Sequence, residues 1–321
     1  MNFRLCISML LSGAICSLGL QTAYAQEFPT RPLRLVVATT PGQTPDTLAR
    51  TMALELPKFL GQPVLVENKP GAASLIGYEY VAKQVPADGY TFGIVLVPDL
   101  ATMPFTVKEL RFDPLKDLRP FIGLVEVRLA FGSSTTLPWK SLAELAAYGK
   151  ANPGKLNYGA SLASIRLLTE AVIRDLGMNV VHVPYTAGGP YLQALLAAEI
   201  QMGFIAEAPA MSLAEKFRTL AVTGEQRAPG LPAVPTFAEL GYPRIRGVSY
   251  SLNVPAATPR PIIDRLHAAA SRALQEPTAR AQFEKMRLSV VGGTPESASA
   301  RLAEEAKTFA EVARQVGIQP Q

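Results

Sequence analysis

The feature that most constrains this chain is an alternation between strand-like and helix-like runs. Leu33 to Ala38 (LRLVVA) is a strand candidate, and from Thr47 onward apolar residues Leu48, Met52, Leu56 and Leu60 recur with a helical period. Gly61 stops that helix and Pro63 to Asn68 (PVLVEN) begins the next strand. Pro57 falls inside the periodic stretch, so a kink or an early end is expected there. The loop Lys69 to Ser74 (KPGAAS), a helix to about Gln84, the turn Ala87 to Tyr90 (ADGY) and the strand Thr91 to Val97 (TFGIVLV) complete a βαβαβ unit. Strands linked through covering helices lie side by side in one direction, so the pattern dictates an α/β fold with a parallel sheet.

The pattern then starts afresh. Glu126 to Gly132 (EVRLAFG), Leu156 to Ala160 (LNYGA), Val180 to Tyr185 (VVHVPY), Met202 to Glu207 (MGFIAE) and Thr219 to Gly224 (TLAVTG) are strand candidates. Helices are expected between several of them. Ser141 with Glu144, and Thr236 with Glu239, have the spacing of capping boxes. Gly247 to Pro255 (GVSYSLNVP) is long enough to cross between domains, and the tail carries a helix from Pro261, a short strand near Leu288 to Val291 and a closing helix after Thr294. The expected architecture is two lobes, each a mainly parallel sheet flanked by helices, hinged by strands near Gly123 to Val127 and Gly247 to Leu252. The corresponding division is 26–125 plus 250–321 for one lobe and 126–249 for the other.

Residues 1–25 stand apart from this pattern. A short positive start ending at Arg4, an apolar run from Leu5 to Leu20 and the small-residue site Ala23-Tyr24-Ala25 have the form of a secretory signal peptide, with the mature chain beginning at Gln26. A lipid anchor on Cys16 competes with this, but Ile15 stands where such signals want a small residue. Both cysteines, Cys6 and Cys16, belong to the segment, so the exported chain is expected to hold no disulfide and no thiolate metal ligand. The 31 Lys and Arg residues exceed the 26 Asp and Glu only slightly and are scattered, which gives nucleic-acid binding no support. No later run is apolar for the length a membrane span needs. A soluble monomer in the periplasm is expected.

The chemistry-bearing positions are loops. In parallel sheets ligands gather at the carboxyl ends of strands, where helix starts offer free backbone N–H groups to an anion. Here the loops TTPGQT, PGAAS, YGASLAS and YTAGGP follow successive strands, and their small and hydroxylated residues let a ligand approach the backbone. Phosphate motifs of the G-x-G-x-x-G and G-x-x-x-x-G-K-[ST] types are absent, as is a G-x-S-x-G nucleophile elbow. His182 and His267 have no neighbouring ligand pattern and are expected to be packing or surface groups. Trp139 is expected to anchor a helix start, and Glu170 and Asp175 to lie on helix faces. No catalytic residue, metal or cofactor is assigned, and no enzyme activity is expected.

Seven segments carry a resemblance to a known family. Beginning at Phe28 with FPTRPLRLVV, then LGQPVLVENKPGA, VAKQVPADGYT, ANPGKLNYG, HVPYTAGGP, LAVTGEQRAPGLPAVPTFAELGYP and TPRPIIDRLHAAASRAL, the chain resembles the tripartite tricarboxylate transporter receptor family, also called the Bug family of periplasmic solute-binding proteins. The resemblance runs to about Ile318. It implies a two-lobed periplasmic-binding-protein fold of type II, with a small organic acid held in the cleft and delivered to membrane permease subunits. A ligand-presenting sensory protein that docks on a periplasmic signalling partner is the alternative role for the same fold. The ligand residues it implies are Thr39, Thr40, Gly42, Gln43, Thr44 and Asp46, then Ala72, Ala73, Ser74 and Leu75 in the first lobe. In the second they are Ser161, Ser164, Thr186, Ala187, Gly188, Ile205 and Glu207.

The chain departs from that family pattern in four places. Gln43 fills a glycine position and adds an amide. PGAASLIG replaces a glycine-rich PGAGGNIG, which sets methyl groups and Leu75 beside the ligand. The YGASLAS loop is about two residues short and lacks internal glycines. Ile205 replaces a usual aspartate, with Glu207 expected two residues further on the same strand face. An ammonium group enclosed in a cleft needs an acceptor. Ile205 cannot supply one, and Glu207 could do so only from a side chain that points into the cleft, so an ammonium-free carboxylate is the expected ligand, its apolar part packed against Ala73, Leu75 and Ile205.

Overall fold

A computed structural model describes residues 28–185, 187–315 and 317. The signal-peptide reading of residues 1–25 and the start at Gln26 lie outside them. The chain begins β1 (Leu33–Val37), α1 (Thr44–Glu55), α2 (Pro57–Leu60), β2 (Val64–Asn68), α3 (Leu75–Glu79), β3 (Thr91–Leu96) and α4 (Val97–Thr106). It continues β4 (Leu118–Val127), β5 (Leu129–Ser134), α5 (Leu142–Ala151), β6 (Leu156–Ala160), α6 (Ala163–Asp175), β7 (Val180–Pro184), α7 (Gly188–Leu196), β8 (Gly203–Ala206), α8 (Glu207–Ser212) and β9 (Phe217–Val222). It ends β10 (Val248–Pro255), α9 (Arg260–Ala273), α10 (Pro277–Lys285), β11 (Leu288–Gly292) and α11 (Pro295–Gln315). Pro57 separates α1 from α2, as its missing N–H and ring demand. Past Glu79 the chain continues as one π-helical turn, Tyr80–Gln84.

The first lobe is a six-stranded sheet in the order β11-β4-β10-β3-β1-β2. β1 pairs in parallel with β2 and β3, while β10 runs antiparallel between β3 and β4, and β11 closes the edge antiparallel to β4. The second lobe combines the antiparallel sheet β8-β5-β9 with the parallel pair β6 and β7, linked by a parallel bridge between Tyr158 and Met202. The parallel strands are those at whose carboxyl ends the loops singled out above emerge. The reversed strands carry the crossings and the second lobe's antiparallel sheet.

The run expected as one strand, Glu126 to Gly132, divides at Arg128: Val127 still pairs in the first sheet and Leu129 already in the second. The return crossing lies beside it. Val248 pairs with Val127, and a methyl group on Gly247 would sit 2.4 Å from the Val127 carbonyl oxygen, so only glycine lets the two crossings touch there. Around them lies a buried ionic cluster. Glu126 accepts from the Gly247 N–H at 3.1 Å and from Arg301 at 2.7 Å, and Arg301 also reaches Glu305 at 3.0 Å. α11 thus ties both crossings to one side chain.

The apolar core has three parts. One packs α1, α9 and α10 on the first sheet through Leu48, Met52, Phe92, Leu266 and Phe283. A second packs α7 and α8 on the second lobe through Tyr191, Leu195 and Phe217. The third is continuous between lobes, running from Val36 through Leu100 and Phe309 to Leu168, Tyr158 and Phe131. The helices α4, α6 and α11 therefore form the apolar wall behind the cleft. None of the helices among the described residues is long and apolar enough to cross a membrane.

Candidate functional site

Three parallel strands of the first lobe, β1, β2 and β3, end at a common rim. The loop after β1 is shaped by Asp46. Its buried carboxylate accepts from the Gly42 N–H and from Arg50 Nε, both at 2.9 Å, and from Asn68 Nδ2 at 3.0 Å, while that same amide group also donates to the Thr39 carbonyl. The Arg50 hydrogen bond is the largest influence holding the Asp46 carboxyl down at about 2, against the opposing effect of its burial. Asp46 is therefore committed to the loop itself. Gly42 takes a φ of 86°, a left-handed conformation that glycine adopts without strain, and this turns the loop back over the start of α1. No side chain caps α1, and since Pro45 has no N–H, the uncapped donors of its first turn are the N–H groups of Thr44 and Asp46.

The loop after β2 has an unusual backbone. Ala72, Ala73 and Ser74 all hold left-handed conformations, with φ of 46°, 50° and 75°. Each such residue with a Cβ costs roughly 1–2 kcal/mol. Strain of this kind is kept where surrounding structure fixes it, and it gathers at ligand clamps. Behind the loop, Gly77 lets α3 lie against the end of β1; a Cβ there would stand 2.6 Å from that of Ala38. Ala72 and Ala73 are exposed, whereas Leu75 packs into the continuous core.

These loops open on a cavity of about 490 Å³ lined by Thr39, Gly42, Gln43, Thr44, Pro45 and Ser74, together with Tyr78, Leu96, Asp99 and Tyr250. Thr39 Oγ1 is buried without a hydrogen-bond partner. Asp99, in the first turn of α4, is half-buried, and desolvation pushes its carboxyl up to about 7, opposed by a hydrogen bond from the Tyr78 hydroxyl. Burial likewise raises Tyr78 well above the usual phenol range and Tyr250 to about 12, with the Asp99 charge a lesser contributor to both. Sequence reasoning missed Leu96, Asp99, Tyr78 and Tyr250. Three of the four could have been approached by the rule that found the others. Leu96 and Asp99 sit where β3 meets its helix, and Tyr78 lies on the helix after the second loop.

The second lobe presents a barer rim. Ser161 and Ser164 follow β6, and Ala187 and Gly188 follow β7, so the parallel pair brings these two loops to one edge. Thr186 lies outside the described residues. α6 and α7 both start without a side-chain cap. A Cβ added at Gly188 or Gly189 would meet nothing within 4 Å. By contrast α5, away from this rim, is capped by Ser141, which accepts from the Glu144 N–H at 3.2 Å. Ser164 and Pro98 of α4 line one small cavity together with Arg244, Arg246 and Glu305, so the two rims adjoin at the back of the cleft.

Two expected positions fall elsewhere. Ile205 is buried in the core cluster with Tyr191, Ala130 and Val222, and no part of it reaches the first-lobe cavity. Glu207 does not continue the β8 strand face, because β8 ends at Ala206 and Glu207 opens α8; it is buried with Arg128 3.9 Å away. Neither residue therefore fixes the charge of the first-lobe cavity.

The remaining polar groups have packing roles. Trp139 is buried and donates to Ser133 at 2.8 Å. Glu170 accepts from Tyr158, against whose ring His182 lies; burial lowers His182 to about 4. His267 bonds the Gly293 carbonyl oxygen at 2.9 Å. Thr236 and Glu239 complete their reciprocal capping bonds, on a turn rather than a helix. No group of three or more His, Cys, Asp or Glu among the described residues is placed to hold a metal.

Comparison with known proteins gives a consistent picture. The profile of the tripartite tricarboxylate transporter family receptor, TctC, matches residues 48–318. A UPF0065 protein from the gbd 5' region of Cupriavidus necator is 35% identical over 284 residues, covering 86% of this chain and 85% of its own. Protein BugT of Bordetella pertussis is 32% identical over 304 residues, with 91% of each covered. Among solved structures, a ligand-free TctC solute-binding protein from Polaromonas superposes with a TM-score of 0.80 at 26% identity, covering 90% of this chain and 99% of that one. R. palustris Rpa4515 with adipate gives 0.68 at 31% identity, covering 92% and 100%. MatC from Rhodopseudomonas palustris with bound malate gives 0.65 at 28%, covering 89% and 99%.

Proposed function

We propose a receptor function for this chain, which belongs to the tripartite tricarboxylate transporter receptor family: it captures a small organic carboxylate between the two rims and delivers it to the membrane subunits of a tripartite tricarboxylate-type permease. The observation that carries the reading is the placement of uncapped helix starts, α1 in one lobe and α6 and α7 in the other, at the ends of parallel strands that border one cleft. Free N–H groups and the positive end of the helix dipole are anion sites. Relatives solved with adipate and malate support the carboxylate class.

The present conformation is the open form. It resembles the ligand-free Polaromonas structure, at 0.80, more than the adipate and malate complexes, at 0.68 and 0.65, although its identity to the first is lower. The lobes 26–125 plus 250–321 and 126–249 then close as rigid bodies about the crossings at Arg128 and Gly247. The protein acts as a monomer in the periplasm, exported by residues 1–25.

A thermal-shift screen tests the receptor reading. Ligand at about 100 times its dissociation constant stabilises a protein that binds it only when folded by about 2.7 kcal/mol. One or more carboxylic acids should raise the melting temperature of protein freed of bound ligand by unfolding and refolding. A response to neutral sugars or simple amines, and to no acid, contradicts it.

A further inference from the structure

The cavity at the first rim is not neutral. Its lining holds one carboxylate, Asp99, and no Lys, Arg or His. Among the described residues Asp99 makes no ion pair, and no backbone N–H of its own helix bonds its side chain, the usual satisfaction for an acid in a first turn. The groups facing it are the hydroxyl of Tyr78 on α3, which itself accepts from the Leu96 N–H at 3.1 Å, and Tyr250 on β10. Both phenols stay neutral at physiological pH. The first loop adds Gln43 and the hydroxyls of Thr39 and Thr44, none of them charged. Behind Pro98, Ser164 of α6 shares its cavity with Arg244, Arg246 and Glu305, and the two guanidinium groups there already have carboxylate partners, Arg244 with Asp175 at 3.4 Å and Arg246 with Glu304 at 3.2 Å. Closing the lobes over the Asp99 carboxylate would remove its remaining water and leave a buried charge without a counterion. A ligand that carries its own cation removes that cost.

The geometry points to Asp99 as the specificity-determining residue of the cleft, which takes the ammonium group of an amino-acid-like ligand whose carboxylate lies at the uncapped helix starts. This rests on the receptor reading above and narrows it: the same cleft selects zwitterions over plain acids. It also reverses the ligand class implied by Ile205, since the acceptor comes from the first lobe and not from β8.

The test uses pairs of acids that differ only in the ammonium group: succinate and aspartate, glutarate and glutamate, 3-phenylpropanoate and phenylalanine. Each is titrated calorimetrically into the wild-type protein and into Asp99→Asn at pH 6 and pH 8. The expected result is binding of at least one ammonium-bearing member with a preference of tenfold or more over its partner. Its affinity should be higher at pH 8 than at pH 6 by up to about tenfold, because the acceptor must be ionised and the Asp99 carboxyl titrates near the middle of that range. Asp99→Asn should lose the preference and the pH dependence while keeping its far-UV dichroism. Binding of the ammonium-free members alone, or affinity that rises as pH falls, would show Asp99 sharing a proton with a ligand carboxylate and would overturn the assignment. A preference retained in Asp99→Asn overturns it as well. If no acid of either kind binds, the receptor reading itself fails.

Discussion

The two rims of the cleft do the same task with different materials. On the first, the β1 loop is locked by the Asp46 carboxylate, the β2 loop is held in three left-handed residues, and the cavity between them carries the Asp99 charge. On the second, α6 and α7 begin with Ser, Ala and Gly, open space stands over Gly188, and the contacts at these helix starts, Ser161, Ser164, Ala187 and Gly188, carry no charge. A preorganised rim can bind first and select, because its ordering cost is met in folding. A rim of free N–H groups offers little selectivity but fits any carboxylate that the lobes close upon. The difference predicts that substitutions on the first rim alter stability and selectivity together, while those on the second alter affinity alone.

The largest effect should come from severing what holds the rims in register. Arg301→Ala leaves Glu126 and Glu305 buried beside the two crossings without their cation, and Glu305 already has its carboxyl pushed up to about 7 by burial. Removing one partner of a buried pair costs about 3–5 kcal/mol, so the urea midpoint of Arg301→Ala should fall markedly. A midpoint near the wild-type value would detach α11 from the hinge account.

Next comes the lock of the first rim. Asp46→Ala removes charge-assisted bonds to Gly42, Arg50 and Asn68 and should cost about 2–3 kcal/mol, with carboxylate binding lost in the same variant. The pH dependence has a definite sign. The folded-state pKa of about 2 lies below the unfolded value of 3.8, so this contribution is present above about pH 4 and is lost as pH falls through 2. Urea titrations of wild type and Asp46→Asn should therefore converge in strong acid.

The second rim gives a smaller and cleaner effect. Gly188→Val meets no neighbour and needs no left-handed backbone, so stability should hold within about 0.5 kcal/mol while affinity falls about tenfold or more. Normal titration heats in this variant would remove Gly188 from the site. Smallest is Ala73→Gly. It relieves one of three left-handed residues and should stabilise the ligand-free protein by about 1 kcal/mol, read from its thermal midpoint.

The first rim was the more legible in sequence, for a physical reason. Thr39, Gly42, Gln43, Thr44 and Ser74 follow strands whose period and boundaries are local, and those residues line the cavity, although Thr40 between them does not. Asp99 escaped because TFGIVLVPDL is continuously apolar up to Pro98, so the strand was carried through Val97, where the helix in fact begins. Tyr250 lies in a crossing strand, and which face of it meets the cleft depends on its pairing with both β3 and β4. Ile205 does lie in β8, but Glu207 departs from the expected strand because α8 begins there and the period changes from two to 3.6 residues. The reversed direction of β10 and β11 leaves no local trace in the chain. It follows from how the tail returns to the first sheet.

The account's central claim is that both rims hold one ligand at the same time. Amide hydrogen exchange read by mass spectrometry, with and without the acid that gives the largest thermal shift, tests it most directly. Protection should rise together in peptides spanning residues 39–47 and 95–100 of the first rim and 161–166 and 187–191 of the second. Protection confined to one rim, at ligand concentrations that saturate the thermal shift, would contradict a site closed between the lobes.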